Sequence, residues 1–370
     1  MSYLWELKQW PDFLYSLEEL LPYIAHARKL QGQIQYLASS LELKDQGELL
    51  FREAIHTSAI EGESLNPQDI RSSIANQLGL PTAGLPGTEI RHEGLIEVLV
   101  DATANFDQTL TSEKLWAWHS ALFPTGHSGI KKIIVGGWRS GVAPMYIISG
   151  SIGKEKIHFT APPSNLLEQE MIQFINWWKI SHGKVDGLLR AGIAHLYFVT
   201  IHPFEDGNGR MARALTDLAL AQEEKTGTRL YSLSTQIHKE KKAYYEKLEE
   251  VQKGGVDITT WLSWFLGIYS HSIESSLEII KGALMSQKFY SNIANITLNA
   301  RQLKVLRKMI EKLPEDFTGG MTNKKYIAIT KVSIATVKRD IKEMAEHGIL
   351  VVGEEKGRST KYQISRSLVE

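Results

Sequence analysis

The sequence predicts a mainly α protein. It reads as a helical N-terminal domain, a helical core carrying one small β-hairpin, and a C-terminal winged-helix unit of α+β type. Three observations predict this. Apolar residues recur at helical spacing through most of residues 1–285. One stretch, 129–163, turns to Gly, Ile, Val and aromatic residues and reads as short strands and turns. Residues 286–370 follow the order helix, helix-turn-helix, hairpin, which is the winged-helix order.

The N-terminal domain is placed at 1–90. "FLYSLEELLPYIAHARKLQGQIQYLASSLEL" has helical periodicity with Pro22 as a local breaker, and "KDQGELLFREAIHTSAIEG" gives a further helix over about 47–62, with Gly62 as its C-terminal cap. "LPTAGLPGTE" at 80–89 is a Pro/Gly connector. The core domain, 91–285, contains predicted helices near 90–107, 111–123, 164–181, 186–201, 210–224, 238–253 and 257–285. In the unit 286–370, "NARQLKVLRKMIEKL" is an amphipathic helix, and "VVGEEKGRSTKYQI" is two strands around a turn.

Composition bounds the function. The chain has 370 residues, 43% of them hydrophobic and 23% charged, an ordinary soluble balance. Lys+Arg and Asp+Glu are both 42, so no polyanion signal covers the whole chain. The absence of cysteine excludes a disulfide framework, a cysteine zinc site and a thiol nucleophile. The N-terminus lacks the basic and apolar regions of a signal peptide, and no apolar run has membrane-spanning length, so a cytoplasmic protein is expected. No P-loop is present, and in "RHEGLI" Ile96 stands where a zinc-protease helix needs its second histidine.

The chemistry concentrates in "HPFEDGNGRMAR", His202 to Arg213. An apolar helix ends before it and another begins at Arg210. Gly207 and Gly209 let a ligand approach the main chain, and the N–H groups at the following helix start form an anion site. Arg210 and Arg213 share one helix face and suit a polyphosphate. Asp206 is one carboxylate at the lip. That suits Mg²⁺, which completes its shell with water and phosphate oxygens. His202 serves as a base near neutral pH. Together they suggest attack on a nucleotide phosphate by a hydroxyl that His202 deprotonates.

This segment matches the Fic family signature H-x-F-x-[DE]-G-N-G-R-x-x-R at every defined position. The resemblance implies a mostly helical enzyme that transfers AMP from ATP to a Ser, Thr or Tyr hydroxyl of a target protein. It implies His202 as general base, Asp206 as the Mg²⁺ (or Mn²⁺) ligand, and Gly207, Asn208, Gly209 and Arg210 on the phosphates. Arg213 takes the γ-phosphate, and Phe204 anchors the loop. "KIHFTAPPS" resembles the family's flap, a hairpin that holds the target by strand addition, with Ile157, His158, Phe159 and Thr160 as its contacts. "KKAYYEKLEEVQ" resembles the helix beside the adenine, which gives Tyr244 and Gln252 as nucleoside contacts; core packing is the other reading of Tyr244. "YLWELKQWPDF" resembles the N-terminal domain of one Fic subgroup.

"TSAIEG", Thr57 to Gly62, fits the family's inhibitory motif [ST]-x-x-x-E-[GN]. Glu61 falls in the last turn of its helix, where the macrodipole disfavours an anion. A cation offsets that cost, and Arg213 is the candidate. Pairing of the two takes the γ-phosphate's ligand away, so Glu61 is expected to be regulatory.

From Met321 to Arg366 the chain has ten Lys/Arg and five Asp/Glu. "SIATVKRDIKEM" is the recognition helix of the winged unit, with Ser333, Thr336, Lys338 and Arg339 near its start and Lys356, Arg358 and Lys361 on the wing. This surface suits duplex DNA, while winged helices also serve as protein-interaction or dimer modules. The leading reading is an autoinhibited protein adenylyltransferase with ATP, a target protein, duplex DNA and a second copy as its candidate partners, and no membrane. The alternatives are a DNA-binding regulator whose Fic domain senses nucleotide, and a Fic enzyme that removes AMP.

Overall fold

A helix that is apolar on every face has to be enclosed by other elements. "GLLRAGIAHLYFVTI" is such a segment, and in the structure Gly187–Ile201 is helical with all of its residues buried. The structure is a computed structural model. It describes residues 2–38, 42–81, 87, 90–149, 156–315, 317, 319–353 and 360–370. Chain order gives helices α1 (Leu17–Ala38), α2 (Leu43–Ile60), α3 (Pro67–Leu78), α4 (Ile90–Ala104) and α5 (Ser112–Leu122). The strand pairs β1 (His127–Ser128) with β2 (Lys131–Lys132), and β3 (Tyr146–Ser149) with β4 (Lys156–Thr160), follow. Then come α6 (Leu167–Ser181), α7 (Gly187–Ile201), α8 (Asn208–Glu224), α9 (Leu233–Lys239), α10 (Lys241–Gln252) and α11 (Thr259–Asn292). The last elements are α12 (Ala300–Ile310), α13 (Asn323–Thr330), α14 (Ile334–Glu346), β5 (Leu350–Val352) and β6 (Tyr362–Ile364).

Two compact units divide the chain, Met1–Glu274 and Ser275–Glu370, with the boundary inside α11. In the first, α7 packs along α8, α6 covers α7, and α4 lies on α5 and α8. Asp186 caps α7 by accepting from the N–H groups of Leu188 and Leu189 at 3.0 and 3.3 Å. The α2 helix docks on α3 and α9. Its Glu53 is fully buried and accepts from Ser232 Oγ at 2.8 Å, from Ser234 N at 3.1 Å and from Ser234 Oγ. Arg229 stands 3.8 Å from Glu53 and donates to Asp217 Oδ2 of α8 at 2.8 Å. A carboxylate inside a core needs such partners, since an unpaired one costs several kcal/mol. The β3–β4 pair is antiparallel, from Tyr146 opposite Thr160 to Ser149 opposite Lys156, with a shift at Ile147/Ile148.

Several expected boundaries move. Helix α1 passes through Pro22, its sixth residue, where the missing N–H leaves one interior hydrogen bond unmade. The helix expected over 238–253 is α10, and a short helix not expected from the sequence, α9, precedes it; the chain turns between them at Glu240 (φ −107°, ψ 25°), and Ser232 starts α9 by accepting from Thr235 N. The connector at 80–89 lies largely outside the described residues.

In the second unit α12, α13 and α14 enclose Val305, Leu306, Met309, Tyr326, Val337, Ile341 and Met344, and β5 and β6 close one side. Buried Asp340 on α14 accepts from Arg301 Nε at 2.9 Å, Arg301 Nη2 at 3.1 Å and Tyr326 Oη at 3.1 Å. Ser333 caps α14 by accepting from Thr336 N, and Lys338, Arg339 and Lys342 are exposed. Lys356 and Arg358 lie outside the described residues. Among the described residues no helix is long and apolar enough to cross a membrane.

The α4–α5 contact depends on Gly94. A Cβ there would stand 1.9 Å from the Ala121 carbonyl oxygen. Backbone cannot yield as a flexible side chain does, so Gly94→Ala is expected to destabilise the fold by about 2–4 kcal/mol. The readout is a lower denaturant midpoint at unchanged slope.

Candidate active site

Helix α7 ends where His202 adopts the left-handed conformation, φ 53° and ψ 57°. That conformation is uncommon for a residue with a side chain and turns the loop sharply. His202 Nδ1 lies 3.1 Å from the Val199 carbonyl. A carbonyl only accepts, so Nδ1 carries the hydrogen and Nε2 of the neutral ring keeps its lone pair. Burial pushes the His202 pKa down to about 4. The nearby Arg139 guanidinium adds to this, and the Val199 bond opposes it. The ring is therefore neutral at pH 7, with Nε2 as a base.

The loop is braced from inside. Phe204 is fully buried, its ring stacked on His119 at 4.0 Å and 4°. His119 Nε2 donates to the Asp206 carbonyl at 3.2 Å. The Asn208 side chain closes on Phe204 twice, accepting from its N–H at 3.0 Å and donating to its carbonyl at 2.8 Å. Asn208 thus serves the loop through its side chain and leaves its backbone at the start of α8 for a ligand. Gly207 has φ 79°, and a Cβ there would sit 2.7 Å from the Phe123 ring. Arg139 ties the outer side. Its Nε donates to the His202 carbonyl at 2.8 Å and its Nη2 to the Pro162 carbonyl at 2.6 Å. Sequence reasoning misses His119 and Arg139. Each is a single residue in a segment without a motif, and contact in space alone discloses it.

Asp206 accepts from Ser128 Oγ at Oδ2 and from Gly207 N at Oδ1, 2.6 Å. Among the described residues no group of three His, Cys, Asp or Glu side chains gathers into a metal site. A lone carboxylate fits a cation that arrives with phosphate oxygens and water, and does not fit a cage made by protein alone.

Arg210 and Arg213 are both buried. Arg210 Nη1 reaches Glu63 at 3.2 Å, and its Nε has no partner. Arg213 is 2% exposed. It donates from Nε to Thr57 Oγ1 at 2.7 Å, and from Nη2 to the Thr57 carbonyl at 2.9 Å and Glu61 Oε1 at 2.7 Å, while Nη1 has no partner. Buried guanidinium N–H groups without acceptors mark a place prepared for an anion. Glu61 is the C-cap of α2, and Gly62 follows at φ 86°. A Cβ on Gly209 would meet Glu61 Oε1 at 2.2 Å, so the bare glycine backbone is what lets the carboxylate lie against the start of α8.

A cleft of about 760 Å³ opens over these groups, lined among others by Glu61, His158, His202, Gly209, Tyr244 and Gln252. Tyr244 is buried, with its hydroxyl 2.9 Å from His195 Nε2. Gln252 Nε2 donates to Thr200 Oγ1 at 3.2 Å. Of the expected flap contacts on β4, Ile157 is 46% exposed and His158 Nδ1 pairs with Glu249 Oε2 at 2.5 Å. Phe159 is buried against the Tyr3 ring at 5.1 Å. Thr160 bonds Trp5 Nε1 through its carbonyl at 2.7 Å and the Tyr3 hydroxyl through Oγ1 at 3.1 Å. The N-terminal segment therefore holds the lower end of the hairpin.

Comparison with known proteins gives two family matches: a domain of unknown function over residues 3–80, and the Fic/DOC family over residues 109–220. A probable protein adenylyltransferase of Aquifex aeolicus is 25% identical over 182 residues, 46% of this chain and 50% of the relative. A protein adenylyltransferase of Caenorhabditis briggsae is 27% identical over 290 residues, 76% of this chain and 51% of the relative. The chain thus spans about half the length of these curated relatives. A solved Fic family protein from Desulfovibrio desulfuricans aligns over 94% of this chain and 95% of its own, with a TM-score of 0.53 and 18% identity, a likeness of fold. Residues 109–220, which hold the braced loop and both buried arginines, form a Fic/DOC-family domain.

Proposed function

We propose that this chain is a protein adenylyltransferase, moving AMP from ATP to a Ser, Thr or Tyr hydroxyl of a target protein and restrained by Glu61. One observation carries the reading. The neutral His202 base stands in the loop that leads into α8, whose first two turns carry two buried arginines with unpartnered N–H groups. That combination suits a hydroxyl attacking a polyphosphate. The two relatives named protein adenylyltransferases support the choice.

The acceptor oxygen forms a bond to the α-phosphorus as the bond from that phosphorus to the bridging oxygen of the β-phosphate breaks. His202 Nε2 takes the hydroxyl proton, and pyrophosphate leaves. The α8 N–H groups with Arg210 hold phosphate oxygens, and Arg213 the terminal phosphate. Asp206 would hold Mg²⁺ or Mn²⁺ at the nucleotide, where such a cation offsets phosphate charge. Tyr244 and Gln252 wall the nucleoside side, and the exposed Ile157 on β4 faces the acceptor segment. Glu61 restrains the reaction by taking an Arg213 N–H that the γ-phosphate needs.

The second unit carries the exposed Lys338, Arg339 and Lys342 on α14, in a segment rich in Lys and Arg. We infer that this winged-helix face meets duplex DNA. A salt-sensitive mobility shift of duplex DNA by the full chain is expected, and it should weaken in a Lys338→Ala/Arg339→Ala variant. A shift that ignores salt, or none at low salt, removes this part of the reading.

Glu61→Gly is expected to raise incorporation of label from α-³²P-ATP into protein by at least about tenfold, since one charge-assisted hydrogen bond regained by the phosphate from Arg213 is worth roughly 1.4 kcal/mol or more. His202→Ala in that background should abolish it at an unchanged circular dichroism spectrum. Labelling that survives loss of His202 would sink the mechanism. Label from UTP in place of ATP would change the donor and leave the mechanism standing.

The pH profile follows from His202. Its folded pKa, about 4, lies below the ordinary 6.5. The base is present at neutral pH and is lost only as pH falls towards 4. The acid limb of kcat/KM in the Glu61→Gly chain is therefore expected below pH 6.5. A limb centred at 6.5 or above contradicts the neutral ring.

A further inference from the structure

Arg213 has five N–H groups in a planar fork, and the structure gives partners to three. Thr57 takes two of them, one through its hydroxyl on Nε and one through its carbonyl on Nη2. Glu61 takes the second hydrogen of Nη2. Nη1, with both of its hydrogens, is buried without a partner. It lies 3.2 Å from where a Cβ of Gly209 would be, against the backbone that starts α8.

The two acceptors on α2 therefore do different work. Thr57 is fully buried and grips two different nitrogens of one rigid plane. Two such points set the direction of the fork as well as its place. Glu61 blocks one donor and sets no direction that Thr57 has not already set. The seat of α2 does not depend on Glu61 either. Glu53 is anchored on Ser232 and Ser234, Lys241 Nζ donates to the Ala59 carbonyl at 3.3 Å, and Tyr245 Oη to the Ile60 carbonyl at 3.3 Å.

We propose that Thr57 is a positioning residue of the phosphate site, by which α2 aims the Arg213 fork at the terminal phosphate of the bound nucleotide. This rests on the reading of the cleft as an ATP site. On this view α2 restrains the site through Glu61 and supports it through Thr57. Loss of the Glu61 carboxylate raises the free donors of Arg213 from two to three and keeps their direction. Loss of the Thr57 hydroxyl releases Nε, and the fork turns about its remaining contact.

The test uses the full chain carrying Glu61→Gly, alone and combined with Thr57→Val or Thr57→Ser. Affinities for ATP and ADP, each with Mg²⁺, are measured by calorimetry. ADP lacks the phosphate that Arg213 addresses and serves as the internal control. Thr57→Val, which keeps the side-chain shape, is expected to weaken ATP about tenfold, the scale of one charge-assisted hydrogen bond. ADP should stay within about twofold on the same scale, and Thr57→Ser should restore ATP affinity. Equal weakening of both nucleotides overturns the inference, because a general packing fault does that. So do unchanged ATP affinity with valine, failure of serine to rescue, and a lowered melting temperature with an unchanged ATP-to-ADP ratio. If the Glu61→Gly chain itself binds ATP no better than ADP, the reading of the site fails and this inference falls with it.

Discussion

A guanidinium without access to water has to be surrounded by acceptors, and much of the first unit is organised around meeting that need for Arg213. Its acceptors come from α2, more than 150 residues earlier in the chain, in one turn and a cap: Thr57 Oγ1, Thr57 O and Glu61 Oε1. Helix α8 cannot keep the arginine buried unless α2 is present, and the end of α2 would carry an unopposed anion without the arginine. The two unpartnered hydrogens on Nη1 are the residue of this arrangement, and under the proposed function they are its purpose.

A second buried charge system holds α2 in register. Glu53 fastens the helix to the start of α9, and Arg229 links it onward to Asp217, four residues after Arg213 on α8. Burial raises the Asp217 pKa to about 6, and Arg229 opposes that rise. Two anchors on the same pair of helices make the α2–α8 spacing resistant to change at either one. A single carboxylate at the helix end can then differ in its contacts while the helix stays seated. That is the physical basis on which the proposed restraint by Glu61 acts through one donor and not through movement of an element.

The loop between α7 and α8 is rigid for a related reason. Its chain is bent through the left-handed residues His202 and Gly207, and the bends are held by the Asn208 clamp, the His119–Phe204 stack and the Arg139 bonds. Backbone donors fixed before a ligand arrives need no reordering when charge develops on it. The same packing strips water from His202 and lowers its pKa.

The sequence by itself determined the helical class and which residue types the loop gathers, because both are local. Periodicity is a property of neighbouring residues, and His202 to Arg213 places its base, carboxylate, glycines and arginines within a dozen positions. Tertiary structure decided everything that depends on distance across the fold. Nothing in the surroundings of His119 or Arg139 distinguishes them until the Asp206 and His202 carbonyls come within reach. Alternation along β4 does not tell which face meets Tyr3, so Phe159 reads as a surface contact in the sequence and is core in the fold. For Tyr244 the sequence leaves ligand contact and core packing both open; the fold makes it buried and cleft-lining at once, since its hydroxyl meets His195 below a wall of the cavity. Thr57 is a motif position in the sequence. Its two-point hold on Arg213 exists only because α2 and α8 pack side by side, and chain order carries no record of that approach.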